Sequence, residues 1–192
     1  MGPLLVLADA TFAPHSRFPR HPHREVEILS VVIDGTLSHH GDQANGQRVG
    51  PRGAQLISSR DGMFHAEGND TDAPTRMLQL WFEPTTRGGA PAYFSRSVEG
   101  RGRELLAGDA VMPLRCDAKV WWLSLEPGAP AALTVPTGRR GYLLALTASM
   151  RVTAAPAAGA VVLGLGDGAT LGPGAASLTA DTAASALWIE LP

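Results

Sequence analysis

The sequence is poor in the residues on which several classes of site depend. Its 192 residues include one cysteine, Cys116, which excludes an internal disulfide bond and a metal site built of thiolates. The formal net charge of −2 offers no basic surface for phosphates, so no nucleic-acid partner is expected. No apolar run approaches the roughly 18 residues of a transmembrane helix, so no membrane partner is expected. Because the first residues also lack the apolar segment of a secretory signal, we expect a cytoplasmic protein.

Helical periodicity is also lacking, whereas turn-forming residues are abundant. No segment of about ten residues repeats its apolar positions at helical spacing. The chain contains 22 glycines and 15 prolines, a share well above average usage. Short apolar or alternating stretches lie between these turn residues, as in Val26–Ile33 and Met77–Glu83. The pattern predicts an all-β protein, either a sandwich or a barrel.

The chain divides into two halves. A loose stretch at 84–103, which carries several glycines and arginines, interrupts the series of strands and is predicted to be a linker. The strands before it predict an N-terminal domain over residues 1–95, and those after it predict a C-terminal domain over residues 104–192. Each half has an apolar strand, a glycine turn and an alternating strand, which suggests that the two halves are related.

Histidine is confined to the first half, and all 6 histidines lie at or before residue 65. His21 and His23 form an H-x-H pair, and His65 and Glu67 form an H-x-E pair. Residues i and i+2 of a strand point to the same face, so each pair can turn both donors toward one point. Three nitrogens and one carboxylate suit Fe, Mn, Co, Ni, Cu or Zn better than calcium or magnesium. The H-x-H pair alone is more typical of two surface histidines, and the second pair is what favours a metal site.

The order and spacing of several motifs resemble the pirin family of the cupin superfamily over residues 4–83. The matching motifs are His21-Pro-His-Arg-Glu-Val-Glu-Ile, Gly35-Thr-Leu-Ser-His, Asn45-Gly, Gly62-Met-Phe-His-Ala-Glu and Leu78-Gln-Leu-Trp. The resemblance implies two consecutive cupin-type (jelly-roll) β-barrels, the second of them degenerate. It implies four metal ligands in the first domain: His21, His23, His65 and Glu67. Residues 104–192 contain no histidine and are similar to the degenerate second cupin of short pirin-like proteins, so no metal ligands are expected there.

The resemblance also implies an activity. Members of the family are known for quercetin 2,3-dioxygenase activity, which implies a metal-dependent dioxygenase that acts on a small aromatic hydroxylated substrate with O2. Glu67 would then be both a metal ligand and the catalytic acceptor of a substrate proton. The implied cofactor is one divalent transition metal, with iron favoured and nickel, manganese, cobalt, copper or zinc as alternatives. The alternative function is a non-enzymatic regulatory protein whose metal state alters its binding to a protein partner.

Four further residues are predicted to lie around these ligands. Glu27 stands at an even offset from His23 and could share its face, as a supporting group or an alternative ligand. His39 alternates with Leu37 on a predicted strand and could lie near the metal. Gln55 and Gln79 recur in the family pattern, and each could orient a ligand or a polar group of the substrate. The alternative for His39 is a hydrogen-bonded polar residue at a strand end. For Gln55 and Gln79 the favoured alternative is a buried side chain that bonds to backbone groups.

Overall fold

The computed structural model describes residues 1–155 and 159–192, and none of these residues lies in a helix. The described part therefore contains no helix that could cross a membrane. The chain forms two compact units, one of Met1–Glu99 with Leu106–Asp117 and one of Gly100–Leu105 with Ala118–Pro192. Residues 156–158, which belong to the predicted C-terminal domain, lie outside the described residues. The all-β class predicted from the turn density is confirmed.

The first unit is built mainly of antiparallel strands in two sheets. Its strands are β1 (Leu4–Phe12), β2 (His21–His23), β3 (Glu27–Asp34), β4 (Leu37–Gly41), β5 (Asn45–Val49), β6 (Gly53–Ser58), β7 (Met63–Gly68), β8 (Thr75–Phe82) and β9 (Ala92–Ser97). One sheet has 5 strands in the order β1-β8-β3-β6-β9, and the other has 4 strands in the order β2-β7-β4-β5.

Strand β3 lies at the centre of the five-stranded sheet and is buried on both faces. Val31 and Val32 point to opposite faces and both have 0% exposure, as a continuous apolar run predicts. Ser30 interrupts this run and lies opposite Gln55 on β6 and Gln79 on β8. A row of three polar side chains therefore crosses the middle of an apolar sheet.

The four-stranded sheet carries the histidines of the predicted site. Strand β2 pairs with β7 so that His21 lies opposite His65. Strand β4 pairs with the other edge of β7, which sets His39 opposite Glu67. Neighbouring strands lie about 4.8 Å apart, so this register brings side chains that are distant in sequence within reach of one another.

The stretch predicted to be a linker contains secondary structure. Strand β9 pairs with β6 over its whole length, from Gly53 opposite Ser97 to Ser58 opposite Ala92. The linker prediction is therefore wrong for residues 92–97. The turn-like local composition is overridden by pairing with the open edge of a buried strand, a tertiary effect that local propensity does not contain. Strand β1 was likewise not predicted, and it pairs with β8.

The boundary between the units also differs from the predicted one, because Leu106–Asp117 packs with the first unit. Arg96 donates to both carboxylate oxygens of Asp109, at 3.0 and 2.8 Å. The amide of Thr85 donates to the carbonyl of Arg115 at 2.7 Å. These contacts tie a segment predicted to begin the C-terminal domain to strands of the N-terminal one.

The second unit repeats the arrangement of one five-stranded and one four-stranded antiparallel sheet. Its strands are β10 (Gly102–Ala107, whose last two residues belong to the first unit), β11 (Lys119–Leu125), β12 (Ala131–Val135), β13 (Arg140–Ala145), β14 (Met150–Ala154), β15 (Ala160–Leu163), β16 (Gly168–Leu171), β17 (Gly174–Thr179) and β18 (Ala184–Leu191). The sheet orders are β10-β11-β18-β13-β16 and β12-β17-β14-β15. Trp188 on β18 is fully buried in its apolar core.

The packing of Trp188 yields a stability prediction. A Cβ atom at Gly141 would lie 1.5 Å from Cη2 of Trp188, whereas a Cβ at Gly172 would have no neighbour within 4 Å. We expect Gly141→Ala to lower the free energy of unfolding by about 2–3 kcal/mol because the indole must move. Gly172→Ala is the matched control and should change it by less than about 0.5 kcal/mol. Urea unfolding measures both, and equal midpoints for the two variants would contradict the packing described.

Candidate metal centre

Three histidine side chains from two neighbouring strands converge in the first unit. The ring centroids lie 4.7 Å apart for His21 and His23, 4.6 Å for His21 and His65, and 5.0 Å for His23 and His65. One nitrogen of each ring lies within 4.8 Å of the other two. Donors of one ion with metal–nitrogen bonds of about 2.1 Å lie roughly 3–4 Å apart, so the three nitrogens must draw together slightly to share an ion.

A second set of donors shares His65 with the first. One donor atom each of His39, His65 and Glu67 also lies within 4.8 Å of the others. The four residues predicted as ligands are therefore gathered around the ring of His65, and His39 lies with them. The first set is partly exposed at His21 and His23, whereas all members of the second set are buried.

The hydrogen bonds of the rings are consistent with metal binding. The Nδ1–H of His21 donates to the carbonyl of Pro19 at 2.7 Å, which leaves the lone pair of Nε2 free to bind an ion. His65 has 0% exposure, and neither of its ring nitrogens has a hydrogen-bond partner. Buried polar atoms normally have a partner. A metal ion at the shared point of the cluster would give one nitrogen of His65 a partner, so the residues present fit such a group.

The protonation of the rings also suits a metal. Burial, with smaller contributions from the neighbouring His23, His21 and His39, lowers the pKa of His65 to about 3. Burial likewise lowers the pKa of His23 to about 4, with a contribution from His21. The same cause lowers the pKa of His39 to about 4, with a contribution from His40. These three imidazoles are therefore neutral at neutral pH, which is the form that binds metals.

The carboxylate of Glu67 is completely buried and is held by three donors from the facing sheet. The hydroxyl of Ser30 donates to Oε1 at 2.8 Å, and Nε2 of Gln55 donates to the same oxygen. Nε2 of Gln79 donates to Oε2 at 2.6 Å. Burial raises the pKa of Glu67, and the three donors and His21 act against that rise. The polar row of Gln55 on β6, Ser30 on β3 and Gln79 on β8 therefore contacts the buried carboxylate of β7.

Two aromatic residues fix the glutamines of this row. The indole Nε1–H of Trp81 donates to Oε1 of Gln79 at 2.9 Å. The hydroxyl of Tyr93 donates to Oε1 of Gln55 at 3.0 Å. Each amide oxygen is thus occupied, so each NH2 group faces Glu67.

Gln55 and Gln79 contact Glu67, and His39 lies beside His65. The sequence analysis named these three residues but missed Ser30 and Tyr93. Ser30 is the one hydroxyl within the apolar run Val26–Ile33, and that interruption is the sequence feature that could have revealed it. Tyr93 lies in the stretch taken for a linker, where no local pattern indicates its role.

Glu27 does not lie with this cluster, contrary to expectation. Its Oε1 accepts a hydrogen bond from Ser58 at 2.6 Å, on the face of β3 opposite to that of Ser30. Burial raises its pKa, and the nearby Ser58 and Arg115 act against the rise. Glu25, between β2 and β3, has a φ of 53°, which breaks the extended alternation. The even offset between His23 and Glu27 therefore does not place both side chains on one face.

Comparison with known proteins supports the resemblance. The family model for pirin matches residues 7–82. A pirin-like protein of Caulobacter vibrioides is 35% identical over 152 residues, which cover 74% of this chain and 66% of the relative. A Pseudomonas aeruginosa protein, provisionally named a quercetin 2,3-dioxygenase, is 34% identical over 160 residues, covering 79% of this chain and 69% of the relative. The chain thus spans about two thirds of the length of these relatives.

A solved structure supports the fold. The bacterial pirin YhhW of Escherichia coli, in complex with nickel(II), superposes with a TM-score of 0.88 at 24% identity. The match covers 100% of this chain and 83% of that one. The fold and the site define a protein of two cupin-type barrels whose first barrel carries three clustered histidines and a buried glutamate. The chain belongs to the pirin family.

The lowered pKa of His39 predicts a pH dependence of stability in the metal-free protein. An unfolded chain binds a proton at His39 below about pH 6.5, whereas the folded chain resists it until about pH 4. The stability of the wild type relative to His39→Gln should therefore fall as the pH is lowered across this window. The difference between the two proteins is the useful quantity, because the raised pKa values of Glu27 and Glu67 act in the opposite direction in both.

Urea unfolding of both proteins at several pH values measures this difference. His15→Gln is a suitable control, because the side chain of His15 is 63% exposed and lies against Asp72 outside the cluster. A wild-type advantage over His39→Gln that stays constant from pH 7 to 4 would show that His39 titrates normally.

Proposed function

We propose that the first unit binds one divalent transition-metal ion through His21, His23, His65 and Glu67. We further propose that this centre oxygenates a small aromatic hydroxylated substrate with O2, as a quercetin 2,3-dioxygenase does. The observation that carries the proposal is the position of His65, which is fully buried, lacks hydrogen-bond partners and lies between the H-x-H pair and Glu67. Iron is the metal favoured by the family resemblance, and the nickel(II) complex of the E. coli relative supports a divalent ion.

The residues of the proposed site would have separate roles in such a reaction. A bound metal would supply Lewis acidity and a redox-active route for electrons. Burial raises the pKa of Glu67, which makes its carboxylate a stronger base. Glu67 would accept the proton of the substrate hydroxyl. Ser30, Gln55 and Gln79 would keep its oxygens in one orientation while it does so. The neutral imidazoles would hold the ion without adding charge.

The surroundings of the partly exposed histidines favour an aromatic substrate. The ring of Trp81 meets His23 edge-on with centroids 5.1 Å apart, and Phe18 meets His21 edge-on at 6.5 Å. Phe18 is 41% exposed. Aromatic walls beside a few fixed polar groups are typical of sites for small aromatic ligands. The size and substitution of the substrate follow from the family resemblance rather than from these two rings.

Metal content tests the ligand assignment. We expect the wild type, after loading with Fe2+ or Ni2+ and desalting, to retain about one ion per chain. The double variant His21→Ala/His65→Ala removes two proposed donors and should retain little or none. The matched control is His15→Ala/His40→Ala, which removes two histidines outside the proposed ligand set and should retain the wild-type amount. Elemental analysis provides the measurement, and equal metal content in all three proteins would defeat the assignment.

Turnover tests the activity. We expect the metal-loaded protein to consume O2 and bleach the flavonol absorbance of quercetin. Glu67→Gln keeps the shape of the side chain but removes the base, and should lower kcat by about 100-fold or more. Glu126→Gln changes an exposed carboxylate of the second unit and should leave kcat unchanged.

Absence of turnover with iron, nickel, manganese, cobalt and copper would refute the dioxygenase proposal. Metal binding without turnover would favour the alternative of a regulatory protein with a protein partner.

A further inference from the structure

We propose that His39 is a further metal-ligating residue, which forms with His65 and Glu67 an inner position for the ion. The inference rests on the proposed metal centre and extends it. The outer position, with His21 and His23, is partly exposed, whereas the inner position is buried. In the proposed centre the ion is held by His21, His23, His65 and Glu67. At the inner position His39 would replace His21 and His23, and His65 and Glu67 are common to both arrangements.

The register of the four-stranded sheet places His39 correctly for this role. His39 on β4 lies directly opposite Glu67 on the neighbouring strand β7. Its ring centroid is 5.3 Å from that of His65. The donor atoms of the three residues lie within 4.8 Å of one another, the same limit that the outer set meets.

The ring of His39 lacks the hydrogen bonds that a structural histidine would make. The side chain has 0% exposure, and neither ring nitrogen has a hydrogen-bond partner. Tyr93 packs against the ring with centroids 4.9 Å apart, but its hydroxyl is committed to Gln55. A neutral imidazole carries one donor and one lone pair, and burial of both without partners is unfavourable. An ion bound to the lone pair removes part of that cost.

Gly41 keeps the space in front of this ring open. A Cβ atom at Gly41 would lie 2.8 Å from Nε2 of His39 and 2.9 Å from Cβ of His65. Any side chain at this position would therefore press on Nε2 of His39 and on Cβ of His65. The absence of a side chain here leaves the two imidazoles free to approach a common ion.

Glu67 has the capacity to complete the inner set. A carboxylate offers about four lone-pair positions. Oε1 accepts from Ser30 and Gln55, whereas Oε2 accepts from Gln79 alone. Oε2 therefore retains a lone pair for a metal ion, and the hydrogen bonds hold it in place.

Titration with Co2+ tests the proposal. His39→Gln removes the imidazole, whereas His40→Gln alters the next residue of β4, whose ring is bound to Asp70 at 2.8 Å. We expect His39→Gln to weaken Co2+ binding by about tenfold or more and to change the visible spectrum of the bound ion. His40→Gln should match the wild type in both. Unchanged affinity and spectrum in His39→Gln would overturn the proposal.

Nitrogen NMR of the wild type observes the histidine rings in the unaltered site. In protein labelled with 15N-histidine, Zn2+ should shift a ring nitrogen of His39, whose signals the single histidine variants identify. Zn2+ that shifts the rings of His21, His23 and His65 but not that of His39 would overturn the inference alone. Absence of any shift and of any Zn2+ uptake would overturn the metal centre itself, so the two failures are distinguishable.

Discussion

The hydrogen bonding of the Glu67 carboxylate is the interaction on which the rest of the site depends. A fully buried carboxylate is unfavourable unless donors surround it. Its donors come from three adjacent strands of the facing sheet and lie at one level because Ser30 is opposite both Gln55 and Gln79. A slip of one residue in either pairing would turn a donor to the other face. The chemistry of the site therefore requires the register of the sheet.

The same network couples the carboxylate to the histidines. Trp81 packs its ring against His23 and holds Gln79 with its indole nitrogen. Tyr93 packs its ring against His39 and holds Gln55 with its hydroxyl. Each aromatic residue thus positions an imidazole with its face or edge and a carboxylate donor with its polar atom. Movement of either ring would therefore displace an imidazole and a hydrogen-bond donor to Glu67 at once.

The extent to which this site could be predicted follows from where its geometry originates. The H-x-H and H-x-E pairs were identifiable because each lies within one strand, where alternation is a local property. Glu27 was misplaced because the positive φ of Glu25 interrupts that alternation. Gln55 and Gln79 were expected only through the family resemblance. Ser30 and Tyr93 could not be assigned, because their roles depend on pairing between strands rather than on local sequence.

The two units differ in how many polar groups they bury, and this difference bears on their stability. The buried polar and charged residues of the described chain lie at or before residue 75, whereas the core of the second unit is apolar. An apolar core of similar architecture is therefore attainable, and the first unit departs from it at a cost in stability. His39 and His65, whose ring nitrogens lack partners, contribute to that cost without metal. A ligand that binds only the folded state stabilises it. An ion on these nitrogens would therefore raise the free energy of unfolding and offset part of that cost. The groups that weaken the metal-free fold are thus the ones that would make its metal site strong.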